Sequence, residues 1–224
     1  MASTALTGNA QARTALARTA LAGTGRAGLL VQLLGRFEIC HAGGPVSLPA
    51  SAQRVVAFLA LRGRTQERSQ VSSHLWMDKS EDRAHANLRS ALWRIRRCEV
   101  ELMTVTQTHV ALSPAIKTDT DRLETTARAL SDESANVELS RIDARDFTAE
   151  LLPDWYDDFV ELERERFRQM RLHALEALSH RLARTGLHAR ALDAALLAVA
   201  GDPLRESAHR AVMHVHLAEG NVGE

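Results

Sequence analysis

The spacing of apolar residues changes part-way along this chain of 224 residues, and that change limits the fold more than any other feature. Up to about residue 112, short apolar runs broken by glycine alternate with helical stripes. After Asp119 no period-two alternation remains, and the sequence reads as helices throughout. Two units of different class are therefore expected, an α+β unit over 28–112 and an all-α unit over 113–224, mostly α in sum.

In the first unit Leu29–Leu34, Phe37–Cys40 and Val46–Leu48 are read as small antiparallel strands, separated by Gly35 and Gly43-Gly44-Pro45. Ser51 is placed to cap a first helix running through Leu61 and ended by Gly63. A second helix covers Glu67–Trp76. Ser80 is an N-cap for a third over Glu81–Arg97, with Glu81 and Asp82 at the positive end of its dipole. Leu102–Thr106 and His109–Leu112 then flank Gln107-Thr108 as a hairpin. Strands, three helices and a closing hairpin make a winged helix-turn-helix in the order of the OmpR type. Residues 1–27, rich in Ala and Thr and without an acid, are expected to be a disordered tail.

In the second unit helices are expected over Asp119–Leu130, Ala135–Ile142, Asp157–Ala183, His188–Ala200 and Leu204–Ala218. Gly186 and Gly220 lie 34 residues apart, each in a turn between helices. That is the tetratricopeptide period, with Ala191, Ala198 and Pro203 at its small and proline positions and Leu175, Leu178 and Leu182 at its apolar ones. The second repeat stops at Glu224 before its second helix, the pattern of a shortened array.

Charge separates the units too. The first 112 residues carry 14 Lys+Arg against 7 Asp+Glu, and the remainder 14 against 21. A basic part suited to nucleic acid and an acidic part suited to other partners follow from this asymmetry.

The third helix concentrates the positive charge. Ala84, Leu88, Ala91, Leu92 and Ile95 form one apolar stripe, while Arg83, Asn87, Ser90, Trp93, Arg94 and Arg97 lie opposite, flanked by Arg89 and Arg96. From Arg83 to Cys98 there are five arginines and no acid. A solvated helix face usually mixes signs because pairs at i, i+4 stabilise it; a one-sign face is explained when phosphates supply the counter-charge. Asn87, Ser90 and Arg94 are candidates for base edges, and Arg89, Arg96 and Arg97 for phosphates. Thr108 and His109 at the hairpin tip are candidates for a wing contact, and Arg54 near the start of the first helix for a phosphate clamp.

Other signals carry no chemistry. The GxGxxG match at Gly23–Gly28 precedes a strand instead of following one, so it has no helix N-terminus for a pyrophosphate. His209, His214 and His216 spread over different helix faces. Asp154, Asp157 and Asp158 suit a helix start. Cys40 and Cys98 stand in unrelated contexts. No catalytic set has supporting spacing, so no enzyme activity, metal or cofactor is expected. No run is long and apolar enough to span a membrane, and a cytoplasmic location is the simplest reading.

Two motifs resemble a known family. Leu34-Gly35-Arg36-Phe37, Arg54–Leu61, Leu75-Trp76 and the run Ala86–Arg97 resemble the SARP transcriptional activators. Leu151–Phe159 with Glu163–Arg168 resembles the opening of their bacterial transcriptional activator domain. The resemblance implies binding of double-stranded DNA at direct repeats in promoters, as a homodimer there, with recruitment of RNA polymerase and control of secondary-metabolite genes. The alternative is a helical-repeat adaptor for proteins, its winged helix degenerate.

Overall fold

The computed structural model describes residues 28–220. The expected tail over 1–27, and with it most of the GxGxxG match, lies outside them. The chain divides into two units. One comprises the chain up to Leu33 together with Phe37–Asp119, and the other Leu34–Arg36 together with Thr120–Glu224.

In the first unit β1 (Leu29–Gln32), β2 (Glu38–His41) and β3 (Gly44–Pro45) are followed by α1 (Ala50–Arg62), β4 (Thr65–Glu67), α2 (Arg68–Leu75) and α3 (Glu81–Arg96). β5 (Met103–Val105), β6 (His109–Leu112) and β7 (Ile116–Thr118) complete it. One sheet has the order β3-β2-β1-β7, with Val31 opposite Ile39 in the antiparallel pair and Leu30 beside Lys117 in the parallel one. The other is antiparallel, in the order β4-β6-β5, with Val110 between Gln66 and Val105. The apolar stripe of α3 (Ala84, Leu88, Ala91, Leu92 and Ile95) is buried, and α3 packs on α1 and α2.

Several expectations for this unit are corrected. The unit extends past Leu112 to Asp119, because β7 joins the sheet beside β1 and the Asp119 carboxylate accepts from the Leu33 amide at 2.9 Å. The third strand is Gly44–Pro45 instead of Val46–Leu48. Ala42 and Gly43 take positive φ and turn the chain early, and the Val46 amide still donates to the Ile39 carbonyl at 2.7 Å. Pro49, not Ser51, precedes the first turn of α1; a proline is suited there, since the first helical positions lack acceptors in any case. Ser80 does hold the N-cap position of α3, though its hydroxyl makes no capping bond.

The second unit is helical: α4 (Asp119–Ser131, entered at the end of the first unit), α5 (Asp158–Arg184), α6 (His188–Gly201) and α7 (Glu206–Glu219), with 3₁₀ turns at Leu139–Arg141 and Ala144–Phe147. The helix expected over Ala135–Ile142 does not form. Two arginines instead bond carbonyls within and just before this segment. Arg181 donates to Leu130, Ala129, Ala135 and Asp132, and Arg190 to Leu139 and Ile142. Leu175, Leu178 and Leu182 of α5 meet Ala191, Ala194 and Ala198 of α6 in the core. Gly186 and Gly220 take φ of 78° and 89°, the left-handed conformation that ends a helix and that a side chain disfavours. Both glycines that set the spacing of 34 residues thus follow the end of a helix.

Between the 3₁₀ turns and α5, the buried Leu152 has φ of 40°. Arg164 of α5 holds that segment, donating to the carbonyls of Leu151, Leu152 and Trp155 at 3.0, 2.6 and 2.7 Å. Replacing it by methionine removes three charge-assisted bonds from a backbone that is strained at Leu152. Arg164→Met is expected to lower stability by about 1.5–3 kcal/mol, read from a urea titration. An unaltered midpoint would show that the segment holds its shape without the guanidinium.

Candidate nucleic-acid interface

The polar side of α3 is built by the burial of its other side. Because Leu88, Leu92 and Ile95 are fixed in the core, Arg83, Arg89, Ser90, Trp93, Arg94 and Arg96 are exposed on the remaining faces, with Arg97 just past the helix end. Asn87 is half-buried at the margin. Among the described residues, none of the five arginines from Arg83 to Arg97 has a carboxylate within ion-pairing distance. Their protein partners are neutral. Arg94 donates to the Ser51 hydroxyl at 3.3 Å, Arg96 to the Val105 carbonyl at 3.4 Å, and the Arg97 guanidinium stands 4.8 Å from the centre of the Trp93 ring. The contrast with α5 is plain, where Arg166 and Arg168 are paired with Glu163, Glu165 and Asp202. Uncompensated charge on α3 leaves a face of positive potential for a polyanion.

Beside α3, β5 and β6 form a hairpin closed at Thr106, whose amide donates to the His109 carbonyl at 2.9 Å. Gln107, Thr108 and His109 are exposed at the tip, and the Thr108 hydroxyl and His109 Nδ1 share a hydrogen bond of 2.8 Å. The hairpin is held from two sides. Arg96 bonds it from α3. From the head of α2, the Arg68 side chain donates to Thr106 at 3.2 Å and its amide to Thr108 at 2.8 Å. Arg68 was not among the residues the sequence singled out; it lies 38 positions from its partner, and no local pattern joins the two.

Arg54 lies on α1. It donates to the Leu75 carbonyl at 2.8 Å and lies over the Trp76 ring at 5.8 Å, so it closes the C-terminal end of α2. One nitrogen of its fork is thus engaged with a backbone carbonyl.

Among the described residues, no cluster of His, Cys, Asp or Glu is arranged to hold a metal, and no helix is long and apolar enough to cross a membrane. His209 bonds the Pro203 carbonyl, whereas the His214 ring meets His180 at 4.9 Å, so these histidines do not converge. Burial, and then the neighbouring His214, hold His180 below its ordinary pKa. Burial pushes the Cys98 thiol up.

Comparison with known families bears on the second unit first. Residues 118–224 match the bacterial transcriptional activator domain. The helical unit is thus similar to that domain, and a winged helix-turn-helix precedes it. A solved structure has a similar architecture: Mycobacterium tuberculosis EmbR, in complex with a low-affinity phosphopeptide, matches with a TM-score of 0.70 at 17% identity. The match covers 86% of this chain and 55% of EmbR, so the chain spans about half the length of that protein. At that identity the likeness speaks for the fold alone. The comparison with curated protein sequences finds no match.

Proposed function

We propose that this chain is a SARP-type transcriptional regulator that binds double-stranded DNA in a sequence-specific way through α3 in the major groove, with the β5–β6 hairpin as its wing. The observation that carries this reading is the arginine face of α3, solvent-exposed and without a carboxylate partner among the described residues. On this reading Asn87, Ser90 and Arg94 meet base edges, and Arg89, Arg96 and Arg97 meet phosphates. Thr108 and His109 meet the backbone or minor groove beside them. The match of residues 118–224 supports an activating role, in which the helical unit recruits RNA polymerase at promoters with direct repeats, of the secondary-metabolism type. On this reading the chain works in the cytoplasm, and two copies occupy one promoter.

Fluorescence anisotropy against a cognate duplex tests the first claim. Two to four phosphates neutralised per subunit give a salt slope of about −2 to −4 on logarithmic axes. Arg94→Ala weakens specific binding by about 1–3 kcal/mol with the melting temperature unmoved. Equal affinity for the wild-type and substituted proteins would remove Arg94 from the interface. A slope near zero would remove the interface itself.

A further inference from the structure

Trp93 is the one large apolar side chain on the arginine face, and 58% of its surface is open to water. Its indole does nothing for the core, which Leu92 and Ile95 on either side supply. Nor does it suit a phosphate, since it carries no charge and a single N–H donor. Its orientation is nevertheless controlled. The Arg97 guanidinium lies 4.8 Å from the ring centre, one helical turn on and about 40° around the axis. One ring face is thereby occupied by a cation, and the rest of the indole remains presented outward beside Ser90 and Arg94.

We infer that Trp93 reads the C5-methyl group of thymine in the major groove, held in position by Arg97; this rests on the reading of α3 as the element that enters that groove. The edges of the bases there display nitrogen and oxygen atoms and one apolar group, the thymine methyl. The purine edge presents N7 with O6 in guanine or the N6 amino group in adenine; the acceptors are repelled by the negative face of an aromatic ring, and the amino group is a polar donor without apolar surface to cover. A methyl group is the feature against which an indole gains by excluding water. The aromatic side chain thus adds to specificity where the arginines around it add mainly to affinity.

The test uses the full chain and a random duplex pool, from which the wild-type protein selects its preferred site. Each thymine of that site is then replaced singly by deoxyuridine, which removes the methyl and keeps the pairing. At one thymine of each repeat, the wild-type protein should lose about fourfold in affinity, the worth of one buried methyl. Trp93→Ala should bind the same site with no loss on that replacement, whereas Trp93→Phe, which keeps a ring, should retain the sensitivity. Because Trp93 is outside the core, thermal melts of both proteins should match the wild type. Arg97→Gln, which takes the cation from the ring, should shrink the fourfold loss; an undiminished loss would overturn the role given to Arg97. Wild-type indifference to every replacement, or the same loss in Trp93→Ala, overturns the thymine reading and leaves sequence-specific binding standing. A pool that yields no enriched sequence overturns both.

Discussion

Leu92→Ala is expected to lower the unfolding free energy of the winged-helix unit by about 2–5 kcal/mol. Leu92 retains 4% of its surface exposure and lies in the stripe by which α3 packs on α1 and α2. Truncation removes three carbons from a close-packed site and leaves a void that Leu88 and Ile95, anchored one turn away on either side, cannot collapse to fill. Hydrogen exchange at the amides of α1–α3, or a thermal melt, reads the loss. Binding to DNA at a temperature where the variant stays folded should be nearly preserved, the reverse of Arg94→Ala. Two positions two residues apart therefore separate stability from recognition. A melt unchanged by Leu92→Ala would mean that the buried and exposed faces of α3 have been exchanged.

Phe147→Ala should cost the helical unit about 3–5 kcal/mol. Phe147 ends the second 3₁₀ turn, is 2% exposed, and lies in the cluster that contains Leu178 and Leu182 of α5 and Ala194 of α6. The turn that carries it is bonded locally, with the Asp143 side chain accepting from the Arg145 amide and the Asp146 and Thr148 amides donating to the Asp143 and Arg145 carbonyls, while the Phe147 ring itself is fixed by packing. With the ring gone, the turn loses its anchor, and the amides of α5 and α6 near the void should exchange faster. Amides with wild-type exchange rates in α5 and α6 would show that the 3₁₀ segment is an ornament on a core complete without it.

The two substitutions also mark how much the sequence disclosed. The stripe from Ala84 to Ile95 was legible because five apolar residues at helical spacing leave one way to bury them, and the arginine face followed as its complement. The glycines at 186 and 220 were legible because a left-handed helix end favours that residue type. What escaped was set by partners distant in the chain. β4 and β7 are three residues each, too short for a period, and exist because β6 and β1 offer them a ladder. The segment Ala135–Ile142 has helical composition over a short window, yet Arg181 and Arg190, about 50 positions away, take its carbonyls. Arg54 and Arg68 show the same limit within the site, since a guanidinium looks alike in sequence whether it meets a phosphate or a backbone oxygen.

The bonds from Arg68 and Arg96 to the β5–β6 hairpin have a consequence for what such a protein measures. A wing tethered at both flanks is restrained relative to the helix beside it, so on the proposed reading the two act as the jaws of a caliper. A duplex whose grooves are too wide, too narrow or wrongly phased for that gap is then expected to bind less tightly whatever its bases. Cutting both tethers should broaden the range of duplex shapes accepted, with the chemistry of the contacting side chains left as it was.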